Sequence, residues 1–106
     1  MKYYAVAEMD VTDPSWVADY VANVTGMVER RGGRYLSRSV RIKKIEGERA
    51  APQAIVLIEW PSKEVAEEFY DSEEYRPYRE ARGAGARTEF LLVSGEDVNG
   101  VARIGR

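Results

Sequence analysis

The first third of the chain contains two clear hydrophobic patterns. Residues 3–11 alternate, which places Tyr3, Ala5, Ala7, Met9 and Val11 on one face of a predicted strand. Apolar residues then recur at helical spacing at Trp16, Val17, Tyr20, Val21, Val24, Met27 and Val28. Asp13-Pro14 is typical of a helix start and Gly32-Gly33 of a helix end. This region therefore predicts a strand followed by an amphipathic helix.

The rest of the chain contains three more strand patterns and a second helical region. The strand patterns cover residues 34–39 (continuing irregularly to Gly47), 54–60 and 88–94. The helical region begins after Ser62 and ends at Gly83 and Gly85, and Pro77 predicts a break within it. The run at 54–60 is almost entirely apolar, which is typical of a central strand. Residues 1–95 are therefore expected to form one domain, with a loose tail at 96–106.

The order strand, helix, strand, strand, helix, strand predicts an α+β fold. It is the ferredoxin-like βαββαβ arrangement with a four-stranded antiparallel sheet. The strands at 54–60 and 88–94 carry apolar residues on both faces, yet the helices can cover only one face. An uncovered apolar face of this size is unusual for a monomer. We therefore expect a homodimer that forms through the sheet faces.

Composition restricts the chemistry available to this protein. Among its 106 residues, 44% are hydrophobic and 32% charged, as in ordinary globular proteins, and cysteine and histidine are both absent. These two absences exclude disulfides, thiolate or histidine-based catalysis, zinc knuckles and histidine-ligated haem. Any catalysis must use carboxylates, tyrosines, arginines, lysines, hydroxyls or backbone groups.

Charge argues against nucleic acid as a partner, because 16 basic and 18 acidic residues give a net charge of -2. Basic residues predominate between Arg30 and Arg49, and acidic residues between Glu59 and Glu80. These segments are either solvated faces or patches that meet a subunit or an anionic ligand. The sequence contains neither a signal-peptide pattern nor an apolar run of membrane-spanning length. We therefore expect a cytoplasmic protein with no membrane partner.

Several motifs in consistent order resemble the 1330 family of domains of unknown function. They are DVTDP at 10–14, GGRYL at 32–36 with Arg38, IEG at 45–47, VLIEWPS at 56–62 and FYDSEEY at 69–75. The resemblance extends from about Lys2 to Gly95 and implies a dimeric α/β barrel, in which two ferredoxin-like sheets pack face to face. The wider superfamily includes cofactor-free monooxygenases, small-molecule isomerases and cyclases, and proteins with no known chemistry.

Glu59 is the first candidate for catalysis, because it follows four apolar residues on the predicted central strand. If it is partly buried, its pKa would rise and it would suit a proton shuttle. Alternatively, it pairs with an arginine such as Arg38 and only supports the sheet. Glu8 and Asp10 lie on one face of the first strand, either as an acid–base pair or as polar residues near the strand end.

Aromatic and arginine side chains are the second set of candidates. Tyrosines on both helical regions (Tyr20, Tyr70, Tyr75 and Tyr78), together with Trp16 and Trp60, either pack the core or line a pocket for a flat ligand. Arg79 and Arg82 lie one helical turn apart. They either clamp a ligand carboxylate or enolate, or form salt bridges with Glu74 or Glu80.

The expected function is binding of a small aromatic or polyketide-like molecule, with cofactor-independent chemistry of cyclase, isomerase or monooxygenase type. The expected catalytic residues are Glu59, Arg38 and Tyr20, and the expected substrate-binding residues are Tyr70, Tyr75, Arg82 and Trp60. No cofactor or metal is expected. The alternative is a non-catalytic ligand-binding or accessory protein.

Overall fold

The computed structural model describes residues 1–104 of the chain. Its elements are β1 (Tyr3–Val11), a 3₁₀ helix (Pro14–Trp16), α1 (Val17–Arg30), β2 (Arg34–Ser39), β3 (Ala54–Trp60), α2 (Lys63–Asp71), α3 (Arg76–Gly85) and β4 (Ala86–Ser94). The four strands form one antiparallel sheet in the order β2-β3-β1-β4. The predicted α+β, ferredoxin-like fold is therefore confirmed.

The first helical region begins more gradually than its sequence pattern predicts. The Asp13 carboxylate accepts a hydrogen bond of 3.0 Å from the Ser15 amide, which forms a turn, and the 3₁₀ helix precedes α1. At the other end, Gly32 adopts a φ of 85° and its amide donates to the carbonyl of Glu29. A glycine in this left-handed conformation ends α1 as predicted.

The second strand is shorter than expected, because its partner strand begins late. In the β2–β3 pairing, Ser39 lies opposite Ile55, and β3 starts only one residue earlier, at Ala54. The residues after Ser39 therefore have almost no partner strand with which to pair. The expected irregular extension to Gly47 was wrong, and residues 40–53 form an irregular connection.

The expected break in the second helical region is confirmed, but it lies at residues 72–75 and not at Pro77. Ser72 follows α2, and its hydroxyl donates to the Phe69 carbonyl at 2.7 Å and accepts from the Tyr75 amide at 3.2 Å. Pro77 lies in the first turn of α3, where its missing amide hydrogen costs no helical hydrogen bond. The last strand begins at Ala86, two residues before the predicted start.

The helices cover one face of the sheet and leave the other face open. Buried residues of the covered face include Ala5, Ile58 and Trp60, which pack against Val24, Val28 and Phe69. On the open face, the strand register places Val6 beside both Leu57 and Leu91. Leu91 and Val93 are 58% and 51% exposed. The sheet therefore presents apolar side chains on both faces, as its sequence pattern indicates.

The segment after β4 forms a turn stabilised by one carboxylate. The oxygens of Asp97 accept hydrogen bonds from the amides of Asn99, Val101 and Ala102. These bonds lower the pKa of Asp97. The last two residues of the predicted tail lie outside the described residues. Within residues 1–104, no helix is long and apolar enough to cross a membrane.

Candidate functional site

A cavity of about 680 Å³ lies between the helices and the covered face of the sheet. Its floor includes Ala5 and Ala7 of the central strand β1. Ala7 lies between Val56 of β3 and Phe90 of β4. Two methyl side chains in the middle of the sheet leave space below α1 that larger residues would fill.

Six of the seven predicted site residues line this cavity. They are Tyr20 of α1, Arg38 of β2, Trp60 of β3, Tyr70 of α2, Tyr75 before α3, and Arg82 of α3. The fold brings together residues that are up to 62 positions apart in sequence. Whether they act on a substrate stays a prediction.

The buried polar centre of the cavity begins with two tyrosines. The hydroxyl oxygens of Tyr20 and Tyr75 lie 2.5 Å apart and share a hydrogen bond. Burial raises the pKa of Tyr20 and the neighbouring Tyr75 adds to this effect, whereas Arg82 opposes it. Tyr20 is therefore a neutral phenol at neutral pH and serves as a hydrogen-bond donor rather than a base.

Arg82 completes this polar centre. Only 6% of the residue is exposed, and its guanidinium carbon lies 5.5 Å from the centre of the Phe90 ring. Burial lowers the pKa of Arg82, but the oxygens of Tyr75 and Tyr20 outweigh burial and raise the pKa overall. Arg82 is therefore a permanent cation beside two phenols.

The other predicted arginines have partners. Arg38 Nη1 donates to the Thr25 hydroxyl at 3.0 Å, and its guanidinium lies over the Tyr35 ring at 4.6 Å. Arg79 Nη1 donates to the Tyr70 carbonyl at 2.9 Å and lies 3.7 Å from Asp71. Arg79 does not line the cavity, so the expected clamp of Arg79 with Arg82 is not assembled.

Glu59 lies on the open face of the sheet, opposite Tyr4 in the strand register, and does not line the cavity. Its carboxylate contacts Lys2 Nζ at 3.2 Å and Arg34 Nη2 at 3.4 Å, and it accepts a hydrogen bond from the Tyr4 hydroxyl. The anticipated partner Arg38 belongs to the cavity side. The structure thus separates Glu59 from the other six predicted site residues, and a catalytic role for Glu59 stays a prediction.

The pKa of Glu59 is lowered, whereas a buried proton shuttle would need it raised. The hydrogen bond from Lys2 is the main cause, and Arg34 adds to it against the opposing effect of burial. This environment favours the charged carboxylate. The geometry therefore supports the alternative interpretation, in which Glu59 supports the sheet through ion pairs, here with Lys2 and Arg34.

We expect Glu59→Gln to lower stability in a pH-dependent way. Because the folded-state pKa is below the ordinary value of 4.5, the carboxylate stabilises the fold above that value and loses this effect as the pH falls through the lowered pKa. Urea unfolding should give wild-type protein a higher free energy of unfolding than the variant near neutral pH. The two free energies should be equal in acid. Glu68→Gln changes an exposed glutamate of α2 and is the control. If wild-type protein remained more stable than Glu59→Gln in strong acid, the stabilising role assigned to the Glu59 carboxylate would be contradicted.

The remaining charged candidates form contacts within the chain. Glu8 and Asp10 line a second, charged groove beside the 40–53 connection. There the Asp10 carboxylate accepts a hydrogen bond of 3.0 Å from the backbone N–H group of Gln53. Arg30 and Arg31 both approach Glu74, at 3.7 and 3.8 Å, so the basic and acidic segments meet here within one chain. No group of three or more potential metal ligands occurs within residues 1–104.

Sequence reasoning missed two aromatic residues at the site. Phe90 lies below Arg82, and Tyr35 lies below Arg38. Both residues lie on the covered face of the sheet. Phe90 of β4 pairs with Ala7 of β1, and Tyr35 of β2 pairs with Ile58 of β3. Alternate residues of each strand point to opposite faces of the sheet. The sequence could show that these two residues share the face of Ala5 and Ala7 only if the strand pairing were known.

The fold and the cavity together define a ferredoxin-like α+β protein with an aromatic-walled internal site. Residues 2–96 match the family described as domain of unknown function DUF1330, and the chain belongs to that family.

Solved structures with the same fold include the RPA0582 protein of unknown function from Rhodopseudomonas palustris, with a TM-score of 0.76, 14% identity, and coverage of 91% of this chain and 83% of that one. SnoaB from Streptomyces nogalater, described as a cofactor-independent oxygenase, has a TM-score of 0.62, 16% identity, and coverage of 92% and 95%. An antibiotic biosynthesis monooxygenase has a TM-score of 0.51 and 16% identity, with coverage of 92% and 100%. At these identities the similarity shows the fold alone. No curated protein matches the chain.

Proposed function

We propose that this protein binds a small aromatic or polyketide-like molecule in the cavity and catalyses cofactor-independent acid–base chemistry on it. The reaction would be a cyclisation, isomerisation or oxygenation of an enolisable substrate. The observation that carries this proposal is the buried cluster of Tyr20, Tyr75 and Arg82 at an otherwise mainly apolar cavity. Ligand sites commonly combine apolar walls with a few convergent polar groups.

The cluster suits stabilisation of a negative oxygen. A neutral phenol donates a hydrogen bond, and a guanidinium supplies a fixed positive charge, so both favour an enolate over its parent ketone. Trp60 and Tyr70 contribute flat walls to the same cavity. Burial strengthens these interactions because few water molecules compete with them.

The similarity to SnoaB supports the proposal by analogy. That protein has the same fold and is described as a cofactor-independent oxygenase. The present chain contains neither histidine nor cysteine, so it offers no imidazole or thiolate ligand for a metal.

We also propose a homodimer in which two open sheet faces pack together. The exposed apolar side chains of Leu91 and Val93, continuous with Val6 and Leu57 across the strands, support this arrangement. A second copy of the same face would remove these side chains from water with two-fold symmetry.

The experiment measures exchange of the α-protons of β-tetralone in heavy water, because enolisation is the step shared by the proposed reactions. We expect wild-type protein to accelerate this exchange, which NMR measures. Solvent hydroxide takes the α-proton, Tyr20 and Arg82 stabilise the enolate oxygen, and the enolate then takes a deuteron from the solvent. Arg82→Met should lower the rate constant by about 100-fold, the usual effect of removing an oxyanion-stabilising donor. Tyr20→Phe should also lower it.

Arg76→Gln is the matched control, because Arg76 is an exposed cation of the same helix that pairs with Glu73. It should exchange protons at the wild-type rate. The catalytic proposal would be abandoned if wild-type protein bound β-tetralone without accelerating exchange.

A specific observation favours the alternative, non-catalytic ligand-binding function. Among the described residues, the carboxylates that line the cavity are Glu67 and Asp71, and both belong to exposed residues. They also lie 3.8 Å from Lys63 and 3.7 Å from Arg79. The buried part of the cavity therefore offers donors and no carboxylate base, so binding without exchange would support this alternative.

A further inference from the structure

Arg82 differs from its neighbours on α3 because it is buried without a carboxylate partner. Arg76 pairs with Glu73 and Arg79 with Asp71, both at the protein surface. Within residues 1–104, Arg82 forms no ion pair, and its Nε–H group is buried without a hydrogen-bond acceptor. Arginine is rarely this deeply buried unless it is paired.

A second buried donor of the cavity also lacks a partner. Trp16 lines the cavity, its ring lies edge-on to Tyr20 at 5.2 Å, and its Nε1–H group has no acceptor among the described residues. Trp16 is held there because Gly85 has no side chain that would overlap the indole. The amides of Thr12 and Asp13 also bind the Gly85 carbonyl.

The hydroxyl pair adds one further donor to this set. When one hydroxyl of Tyr20 and Tyr75 donates to the other, the accepting hydroxyl keeps its own hydrogen. The cavity thus contains Arg82, which has no ion pair among the described residues, and neutral donors. Its other arginine, Arg38, is engaged by Thr25 and Tyr35, and its carboxylates are at the exposed surface. Such a set is complementary to an acceptor that carries negative charge.

We infer that the ligand of this cavity is an anion: a carboxylate, enolate or phenolate attached to an aromatic body, with its charged oxygen facing the Arg82 guanidinium. This inference rests on the proposed binding function and specifies its substrate class. Arg82 is then the residue that determines specificity for charge. Arg79 has no part in it because Asp71 and the Tyr70 carbonyl already engage that side chain.

The test compares β-naphthoate with β-naphthamide, which have similar shape and differ in charge. Isothermal titration should give wild-type protein a Kd for β-naphthoate about 10-fold to 100-fold lower than for β-naphthamide, as expected for a charge-assisted hydrogen bond in a buried site. The preference should persist in about 0.5 M sodium chloride, because salt screens buried charges weakly. An equal Kd for the two compounds would overturn the inference.

Variants locate the preference at Arg82. Arg82→Met should bind both compounds equally, Arg82→Lys should keep part of the preference, and Arg76→Gln should keep all of it. A preference unchanged in Arg82→Met would overturn the inference. The wild-type comparison stands even if that variant fails to fold.

The outcomes separate this inference from the proposed function. If the two compounds bound equally well, the cavity would still be a binding site for aromatic molecules. Only the inference that the ligand is an anion would be rejected. Failure of wild-type protein to bind either compound would count against both. A naphthoate preference without β-tetralone exchange would support the anionic ligand and contradict the catalytic proposal.

Discussion

Replacing Tyr75 by alanine is expected to lower the free energy of unfolding by about 3–5 kcal/mol, the usual cost of truncating a buried aromatic residue. Tyr75 is only 1% exposed. Its ring centre lies 4.4 Å from that of Phe69 and 6.0 Å from that of Tyr20. Truncation would join the core to the cavity and remove both contacts. Urea unfolding followed by circular dichroism measures the change.

Tyr75→Phe is the matched control, because it keeps the ring and removes only the hydroxyl that meets Tyr20. Its cost should not exceed about 1.5 kcal/mol, the typical value of one hydrogen bond. If Tyr75→Ala were as stable as Tyr75→Phe, the ring would not belong to the core described here.

Leu91→Arg is expected to convert the proposed dimer into monomers. Leu91 is 58% exposed on the open face, beside Val6 of β1. Two-fold symmetry would introduce the charge twice into an apolar interface, where an unpaired charge is strongly unfavourable. Sedimentation velocity should show association weakened by at least about 100-fold, corresponding to roughly 2.7 kcal/mol.

Ala22→Arg provides the control, since Ala22 is exposed on α1 in the helical layer and the substitution adds the same side chain. It should remain dimeric. Wild-type protein that sediments as a monomer at all accessible concentrations would contradict the proposed interface. Dissociation of both variants would show that the added charge acts without regard to its position.

Most of the fold could be predicted because each element has its own local signal. The Asp13-Pro14 start, the glycine at 32 and the apolar run before Pro61 each mark a boundary. The end of β2 could not be predicted in this way. It depends on where β3 begins, and this is a property of the pairing between Ser39 and Ile55.

The cavity was predicted better than the location of Glu59. The helical spacing of apolar residues places Tyr20 on the inner face of α1. The meeting of Tyr20 with Tyr75 and Arg82 depends on how the helices pack, and spacing alone does not predict it. In the run Ala54–Trp60, both faces are apolar, and alternation alone does not reveal which face the helices cover. The pairing of Tyr4 with Glu59 settles this and directs Glu59 away from the cavity.

The cavity below α1 is the proposed ligand site, with Tyr20, Tyr75 and Arg82 at its polar centre. A crystal structure of the protein with bound β-tetralone tests this directly. The ring is expected inside the cavity, with the carbonyl oxygen within about 3.2 Å of a donor of that cluster. A ligand bound on the open sheet face or in the charged groove beside residues 40–53, with the cavity filled by side chains, would contradict it.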